Sequence, residues 1–229
     1  MNLIRIIPAE GKTENLLKIE LFDRIASVFA MRSIYFIAGR NLYENTGRTY
    51  VRAICEGAIL VALAQVLGYI KLWRMPWGGS VVLAMVPLVL FAVRWGLKKG
   101  LIAGLAFGIL QFIFDGGFAL GWQSIIGDYI LAYLVVGLAG VVSGKKGAAY
   151  YGSLIGGSAR FLVHYVVGAT VWGQYMPEEF LGLAMTSPWI YSLLYNLCYM
   201  VPNIIVTVAV FALLYATPMK KYIKGEDLV

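Results

Sequence analysis

Long apolar stretches without basic residues constrain the fold of this 229-residue chain more than any other feature. Residues 101–144 contain no Lys or Arg and only two acidic residues, Asp115 and Asp128. Over the whole chain 14% of the residues are charged, whereas about one quarter are charged in soluble domains. Because about 20 apolar residues in a helix cross the hydrocarbon core of a bilayer, the sequence predicts an all-α integral membrane protein.

The apolar stretches and the polar breaks between them predict six transmembrane helices. These lie near residues 51–70, 78–97, 100–116, 122–142, 148–172 and 189–216. The second span is the weakest, since its apolar core from Val81 to Val93 is short and contains Pro87. Proline removes one backbone hydrogen bond of a helix, so a kinked or re-entrant segment is the alternative at this position.

The basic residues indicate the orientation in the membrane. Of the 19 Lys and Arg residues, 16 fall on the side of the two termini, Lys71 and Arg74 fall on the other side, and Arg160 lies within a span. Cytoplasmic segments are enriched in basic residues. We therefore expect a bacterial cell-membrane protein with both termini in the cytoplasm. Since the basic residues flank hydrophobic spans, topology explains the net charge of +7 better than nucleic-acid binding does.

Residues 1–47 are predicted to form a polar N-terminal segment ahead of a membrane domain at 48–229. Residues 25–38 are apolar enough for a helix, but they are interrupted by Arg32 and too short to cross a bilayer comfortably. Two interpretations stay open for this segment. It is either an amphipathic helix at the membrane interface or the product of a gene start placed too early, with the protein beginning at Met31 or later.

The sequence has no enzymatic signature. Its single histidine and its two separate cysteines, Cys55 and Cys198, do not form a zinc site, and no cofactor is predicted. The triplet at residues 11–13 lacks the earlier glycine of a phosphate-binding loop, because Ile6 stands there. The chain is therefore not expected to hydrolyse ATP, and uphill transport would need an ion gradient or partner subunits.

Ionisable residues inside membrane spans are costly and usually functional, and three of those in the predicted spans stand out: Asp128, Arg160 and His164. Arg160, His164, Gly168 and Trp172 recur every four residues, so they share one face of a helix. For Asp128 two hypotheses stay open, an ion pair with Arg160 and contact with a ligand.

Aromatic residues accompany these groups in the halves of the spans that face outward. They belong to an aromatic belt at the membrane interface or to a binding site. The aromatic residues are Trp73, Trp77, Trp189, Tyr191, Tyr195 and Tyr199, and Asn196 lies in the same stretch as the last of them. Aromatic faces attract cations, and a carboxylate pairs with them. The set suits a small, flat, cationic ligand rich in nitrogen.

Small residues at four-residue spacing let helices approach closely in a bilayer. Gly100, Gly104 and Gly108 form one such series and favour packing inside the domain. Ala58 and Ala62 form another and favour contact with a second membrane subunit.

Several segments match one known family in residue type and spacing. They are VRAICEGAILVALA at 51–64, MPWGGSVVLAMVPLVLFAVRWGLKKG at 75–100, GDYILAYLVVGLAG at 127–140, RFLVHYVVGATVWGQY at 160–175 and PWIYSLLYN at 188–196. From about residue 48 to residue 216 the chain resembles the thiamine-specific substrate-binding (S) component of energy-coupling factor (ECF) transporters. Residues 1–47 lie outside the resemblance.

The resemblance implies a six-helix protein, without enzyme activity, that captures thiamine from outside the cell. It also implies partners: a transmembrane coupling subunit and two ATPases that supply the energy. Three rival hypotheses remain, namely an S component for another vitamin, a membrane-embedded enzyme using Asp128 and His164 as an acid–base pair, and a purely structural membrane protein.

The resemblance also implies roles for individual residues. Asp128 matches the acidic position that contacts the aminopyrimidine of thiamine, and Tyr129 follows it as in the family. Further matches are the pocket-lining helix with His164, Gly168 and Trp172, the hydrogen-bonding pair Tyr191 and Asn196, the tryptophan of the first outside loop at Trp77, and the contact motif for the coupling subunit at Ala58 and Ala62.

Overall fold

A computed structural model describes residues 47–76, 78–115 and 119–228 of the chain. In these ranges the helices are α1 (Gly47–Tyr69), α2 (Met85–Trp95), α3 (Leu97–Phe114), α4 (Trp122–Val142), α5 (Ala148–Thr170), α6 (Pro188–Tyr215) and α7 (Met219–Ile223). Two short antiparallel hairpins pair β1 (Lys71–Arg74) with β2 (Ser80–Val82), and β3 (Glu179–Phe180) with β4 (Leu183–Ala184). The polar segment predicted at 1–47 lies outside the described residues except for Gly47, so its two interpretations stay predictions.

The described part of the chain is mostly helical, as the sequence predicts. Helices α1, α3, α4 and α6 are each long and apolar enough to cross a membrane. Helix α5 has 23 residues but is less apolar, and α2 has only 11. At 1.5 Å per residue, α2 rises about 16 Å, roughly half the hydrocarbon thickness. Four helices are therefore clear candidates for membrane spans.

The second predicted span, at 78–97, is wrong at its beginning, because residues 78–84 form a hairpin strand and a turn. Gly78 and Gly79 have φ of 101° and 76°, which interrupts any helix. The side chain of Asn203 then holds β2, since its Oδ1 accepts from Val82 N (3.0 Å) and its Nδ2 donates to Ser80 O (2.8 Å). Pro87 therefore lies in the first turn of α2, where its missing N–H costs little.

The glycine series of α3 packs inside the molecule. A Cβ added at Gly104 would lie 2.3 Å from Tyr133 O, and one at Gly108 would lie 2.5 Å from Tyr129 O. Both oxygens belong to α4, so the missing side chains let two helix backbones meet. This confirms the internal-packing interpretation of the series, whereas Ala58 and Ala62 of α1 are exposed.

A buried guanidinium joins the C-terminal segment to α1 and α2. Arg94 Nε lies 2.5 Å from Glu56 Oε1, and its Nη1 lies 2.9 Å from Asp227 Oδ1. Nη1 also donates to the carbonyl of Tyr222, whose ring centroid lies 3.5 Å from the guanidinium carbon. Arg94 is 6% exposed, so these partners provide the compensation that a buried charge needs.

Candidate functional site

A cavity of about 830 Å³ lies among the β1–β2 hairpin, the end of α3, and parts of α4, α5 and α6. Its volume falls in the range of small-molecule sites. Seven of the eight residues predicted to bind the ligand line it: Asp128, Tyr129, His164, Gly168, Trp172, Tyr191 and Asn196. The eighth, Trp77, lies outside the described residues, so its role stays a prediction.

The carboxylate of Asp128 has three side-chain hydrogen-bond contacts in the wall of this cavity. Its Oδ2 accepts from Ser124 Oγ (2.7 Å) and from Trp172 Nε1 (2.8 Å). Its Oδ1 lies 3.1 Å from His164 Nδ1. Asp128 belongs to a π-helical stretch of α4, Ile125–Leu131, and such wide turns are frequent at functional sites. The Ser124 and Trp172 donors, together with the contact to His164, compensate a mostly buried anion.

Arg160 contacts the imidazole of His164 rather than the carboxylate of Asp128. Its Nε lies 3.3 Å from His164 Nε2, and its Nη2 donates to the hydroxyl of Tyr133 over 3.0 Å. The guanidinium carbon also lies 4.2 Å from the Tyr133 ring centroid. Of the two hypotheses for Asp128, a direct ion pair with Arg160 is therefore wrong for this structure, because His164 lies between them.

The aromatic residues of α6 form a second wall. Ser187 caps the helix by accepting from Trp189 N, and Pro188 occupies the first turn, so the stripe begins where α6 begins. Within the stripe, the rings of Tyr191 and Tyr195 are 5.5 Å apart. Tyr195 donates to the carbonyl of Gly78 over 2.8 Å and thereby joins α6 to the β1–β2 hairpin.

Asn196 is held by its neighbours rather than left mobile. Its Nδ2 donates to Ser192 O (2.8 Å) and to His164 O (3.3 Å), which links α6 to α5. Its Oδ1 accepts from the hydroxyl of Tyr199 over 2.6 Å. The amide is thus fixed in orientation, as a group that recognises a ligand directionally must be.

Gly168 is a point of close approach between α5 and α6 as well as a cavity residue. A Cβ at this position would lie 2.4 Å from Ser192 Oγ and 3.1 Å from Asn196 Nδ2. Since Ser192 Oγ donates to Tyr165 O (2.7 Å), a side chain at Gly168 would disturb a hydrogen bond between the helices.

The part of the cavity wall near β1 and the end of α3 carries charges of both signs. Tyr129 donates from its hydroxyl to Asp115 Oδ2 over 3.0 Å, and its ring packs against Phe112 at 5.3 Å between centroids. Lys71 and Arg74 of β1 are exposed and also line the cavity.

The cavity and support residues missed from the sequence include Ser124, Tyr133 and Ser192. Each lies four positions from a predicted residue: Ser124 before Asp128, Tyr133 after Tyr129, and Ser192 before Asn196. Helical spacing around the predicted residues could have found them.

Metal ligation has no support in the part of the chain that the structure describes, where no group of three His, Cys, Asp or Glu side chains could hold an ion. The described geometry defines the class of protein: a helical membrane protein with a ligand-sized cavity built from tyrosines, a tryptophan and one hydrogen-bonded carboxylate.

Comparison with known proteins identifies the family within that class. The chain belongs to the thiamine transporter protein family (Thia_YuaJ), whose model matches residues 54–223. It is 35% identical over 192 residues to the thiamine transporter ThiT of Bacillus subtilis strain 168, covering 76% of this chain and 94% of that protein. It is 31% identical over 159 residues to the thiamine transporter ThiT of Lacticaseibacillus paracasei, covering 62% of this chain and 76% of the relative.

A solved structure of ThiT from Listeria monocytogenes has a similar fold. The two match with a TM-score of 0.66 and 27% identity over 75% of this chain and 97% of the other. The resemblance found in the sequence is therefore confirmed at the level of the family. The relatives are transporters, which agrees with the prediction that this chain is a transport protein and not an enzyme.

Proposed function

We propose that this chain binds thiamine in the cavity described above and delivers it for uptake as the S component of an ECF transporter. Its relatives named thiamine transporters support the ligand. So does the chemistry of the cavity, because thiamine joins an aminopyrimidine, which donates hydrogen bonds, to a cationic thiazolium ring.

The single observation that carries this proposal is the hydrogen bonding of the Asp128 carboxylate. Its Oδ2 already accepts two hydrogen bonds from the protein, whereas its Oδ1 has one hydrogen-bond contact, to His164 Nδ1, among the described residues. A carboxylate oxygen can accept two. Oδ1 therefore keeps one acceptor direction for the amino group of the aminopyrimidine, and the negative charge favours a cationic ligand.

The aromatic rings would hold the flat parts of the ligand. Trp172 and Tyr191 line the cavity together with His164, and aromatic faces attract a desolvated cation such as thiazolium. Tyr129 and Asn196 would add directional contacts, since their polar atoms are already oriented by Asp115 and Tyr199. Trp77 would complete the site from the first outside loop, as the resemblance implies.

The face of α1 that points away from the rest of the protein is the proposed contact with the ECF coupling subunit. Two ATPase subunits would bind to that subunit. Ala58 and Ala62 are exposed and one helical turn apart, so a partner helix could approach them closely. Other apolar residues of α1, such as Ile59 (67% exposed), would contact membrane lipids or that partner.

In the proposed topology the chain crosses the membrane six times with both termini in the cytoplasm. Helices α1, α3, α4 and α6 are the four clear candidates for spans. Helix α5, which is long enough to cross the membrane, would be the fifth, and α2 together with the β1–β2 hairpin would be the sixth. The asymmetry of 16 basic residues against two supports this orientation.

Replacing the carboxylate of Asp128 by an amide tests the proposal. Purified wild-type protein should retain radiolabelled thiamine without ATP, and Asp128→Asn should weaken binding. A lost charged hydrogen bond costs about 1.5–3 kcal/mol, which corresponds to roughly a tenfold to hundredfold weaker dissociation constant. Glu178→Gln, at an exposed carboxyl away from the cavity, is the matched control and should bind as the wild type does.

Competition distinguishes thiamine from the alternative that the chain is an S component for another vitamin. Excess riboflavin or biotin should not displace bound thiamine. Wild-type protein that retains riboflavin or biotin and no thiamine would overturn the ligand assignment, even if uptake by an ECF complex were found.

A further inference from the structure

Arg160 has no place among the ligand contacts proposed above, although it lines the cavity and is only 6% exposed. Its guanidinium reaches His164 through Nε and Tyr133 through Nη2. Its Nη1 is buried without a hydrogen-bond partner among the described residues. A guanidinium is always charged in proteins, and a buried charge is costly, so its presence at this position needs a reason.

The contact between Arg160 and His164 determines which nitrogen of the imidazole carries hydrogen. A guanidinium can only donate hydrogen bonds, so His164 Nε2 must accept and can carry no hydrogen. A neutral imidazole then carries its hydrogen on Nδ1, which lies 3.1 Å from Asp128 Oδ1 and donates to it. A doubly protonated ring would place an N–H group against the N–H group of Arg160, with two positive charges in contact.

We propose that Arg160 is a positioning residue that keeps His164 as the neutral tautomer protonated on Nδ1. As a consequence, the cavity presents the negative charge of Asp128 beside an uncharged imidazole, and the compensating positive charge lies one side chain further from Asp128. Without Arg160, His164 Nε2 takes up a proton. The resulting imidazolium lies directly against Asp128, cancels its charge and repels a cationic ring.

Other groups that face the imidazole do not hold its proton in this way. The ring of Tyr199 packs edge-on at 6.1 Å between centroids, and its hydroxyl donates to Asn196 Oδ1. Asn196 in turn donates to the backbone carbonyl of His164 and not to the ring. Among the described charged residues, Asp128 and Arg160 are those with a hydrogen bond to the imidazole.

The location of the proton can be measured directly, because His164 is the only histidine of the chain. The full chain is labelled with ¹⁵N-histidine, purified in detergent through a histidine-free tag and studied by NMR at neutral pH without ligand. The couplings of each ring nitrogen to the carbon-bound ring protons identify Nδ1 and Nε2. We expect Nδ1 protonated and Nε2 unprotonated, and a proton on Nε2 overturns the proposal.

Variants separate the effect of the donor from that of packing. Arg160→Met removes the donor and the charge at similar length, so both nitrogens should become protonated. Arg160→Lys keeps a cationic donor and should restore part of the wild-type pattern. Tyr133→Phe removes only the other partner of Arg160 and should leave the imidazole signals as in the wild type. The proposal is overturned if the His164 ring signals of Arg160→Met are the same as those of the wild type. It is also overturned if Tyr133→Phe changes these signals as much as Arg160→Met does.

The consequence for affinity rests on the proposed function and is tested with two ligands. Arg160→Met should weaken thiamine binding by about tenfold or more. It should weaken binding of the neutral analogue, in which thiophene replaces thiazolium, much less, because only the cation is repelled. Equal losses for both ligands overturn the electrostatic part. If Arg160→Met does not fold, the NMR spectra of the wild type and of Arg160→Lys decide which nitrogen of His164 is protonated. Wild-type protein that fails to bind thiamine overturns the proposed function alone.

Discussion

Trp172 donates a 2.8 Å hydrogen bond from its indole nitrogen to Asp128 Oδ2, across 44 positions of sequence. Trp172 follows the end of α5, whereas Asp128 lies in the π-helical stretch of α4. One side chain therefore supplies both an aromatic face to the cavity and a donor to its carboxylate, and these two roles can be separated.

Trp172→Phe should weaken thiamine binding several-fold, less than Asp128→Asn does, because phenylalanine keeps a ring and loses only the hydrogen bond that orients the carboxylate. The same variant should lose most of the quenching of tryptophan fluorescence by thiamine, since the stacked indole is gone. Titration with radiolabelled thiamine and with fluorescence measures the two effects. Trp189→Phe, at a tryptophan that pairs with Tyr165 and does not line the cavity, should keep affinity and quenching. Full quenching in Trp172→Phe would place the ligand elsewhere.

Gly168→Ala should lower the stability of the protein as well as its affinity. The new methyl group would lie 2.4 Å from Ser192 Oγ, and overpacking of this kind costs about 1–3 kcal/mol. Thermal unfolding in detergent measures the loss. Gly47→Ala, where no atom of the described residues lies within 4 Å of the added Cβ, is the control. Adding Ser192→Ala to Gly168→Ala removes the clashing oxygen and should recover part of the stability; no recovery would contradict the packing role.

The sequence predicts those parts of the fold and site that depend on local patterns. The glycine series of α3 and the face shared by Arg160 and His164 follow from helical spacing alone, and both are present in the structure. The beginning of α2 does not follow from local pattern, because Asn203, more than 120 positions away, holds the β2 strand in place of a helix.

The partner of Asp128 was equally hard to predict. Charge alone favours Arg160 as the partner of a carboxylate, and only the three-dimensional arrangement places His164 between them. The donor role of Trp172 likewise depends on the turn after α5, which lies beyond the regular helical spacing that brought Trp172 into the prediction.

Cysteine labelling of intact cells tests the proposed topology. In a background with Cys55→Ala and Cys198→Ala, Glu178→Cys should react with a membrane-impermeant thiol reagent, whereas Lys145→Cys should react only after the cells are opened. Both positions are exposed in the structure, so a lack of reaction reports on the membrane side and not on burial. The reverse pattern would invert the orientation that the basic residues indicate.

Ala58→Leu and Ala62→Leu should reduce thiamine uptake by cells severely and leave thiamine binding by the purified protein unchanged. The larger side chain would separate α1 from a partner helix, while both positions face away from the core. Leu213→Phe, at a residue of α6 that is 71% exposed, controls for bulk on the membrane-facing surface and should transport normally. Lost binding in Ala62→Leu would mean that the alanines support the cavity instead.

The C-terminal segment should make stability depend on acid pH through Asp227. Hydrogen bonding to the Arg94 guanidinium lowers the pKa of this carboxyl below its ordinary value of 3.8. A lowered pKa in the folded state means that the carboxylate stabilises the fold above pH 3.8, and that this contribution is lost as the pH falls further. Asp227 is 34% exposed, so solvent screening limits the effect.

The melting temperature of the wild type should therefore fall more steeply below about pH 4 than that of Asp227→Asn, which should start lower at pH 7. Glu226→Gln, at an exposed neighbour paired with Lys224, is the control and should follow the wild type; parallel curves for wild type and Asp227→Asn would show that the buried guanidinium does not depend on this carboxylate.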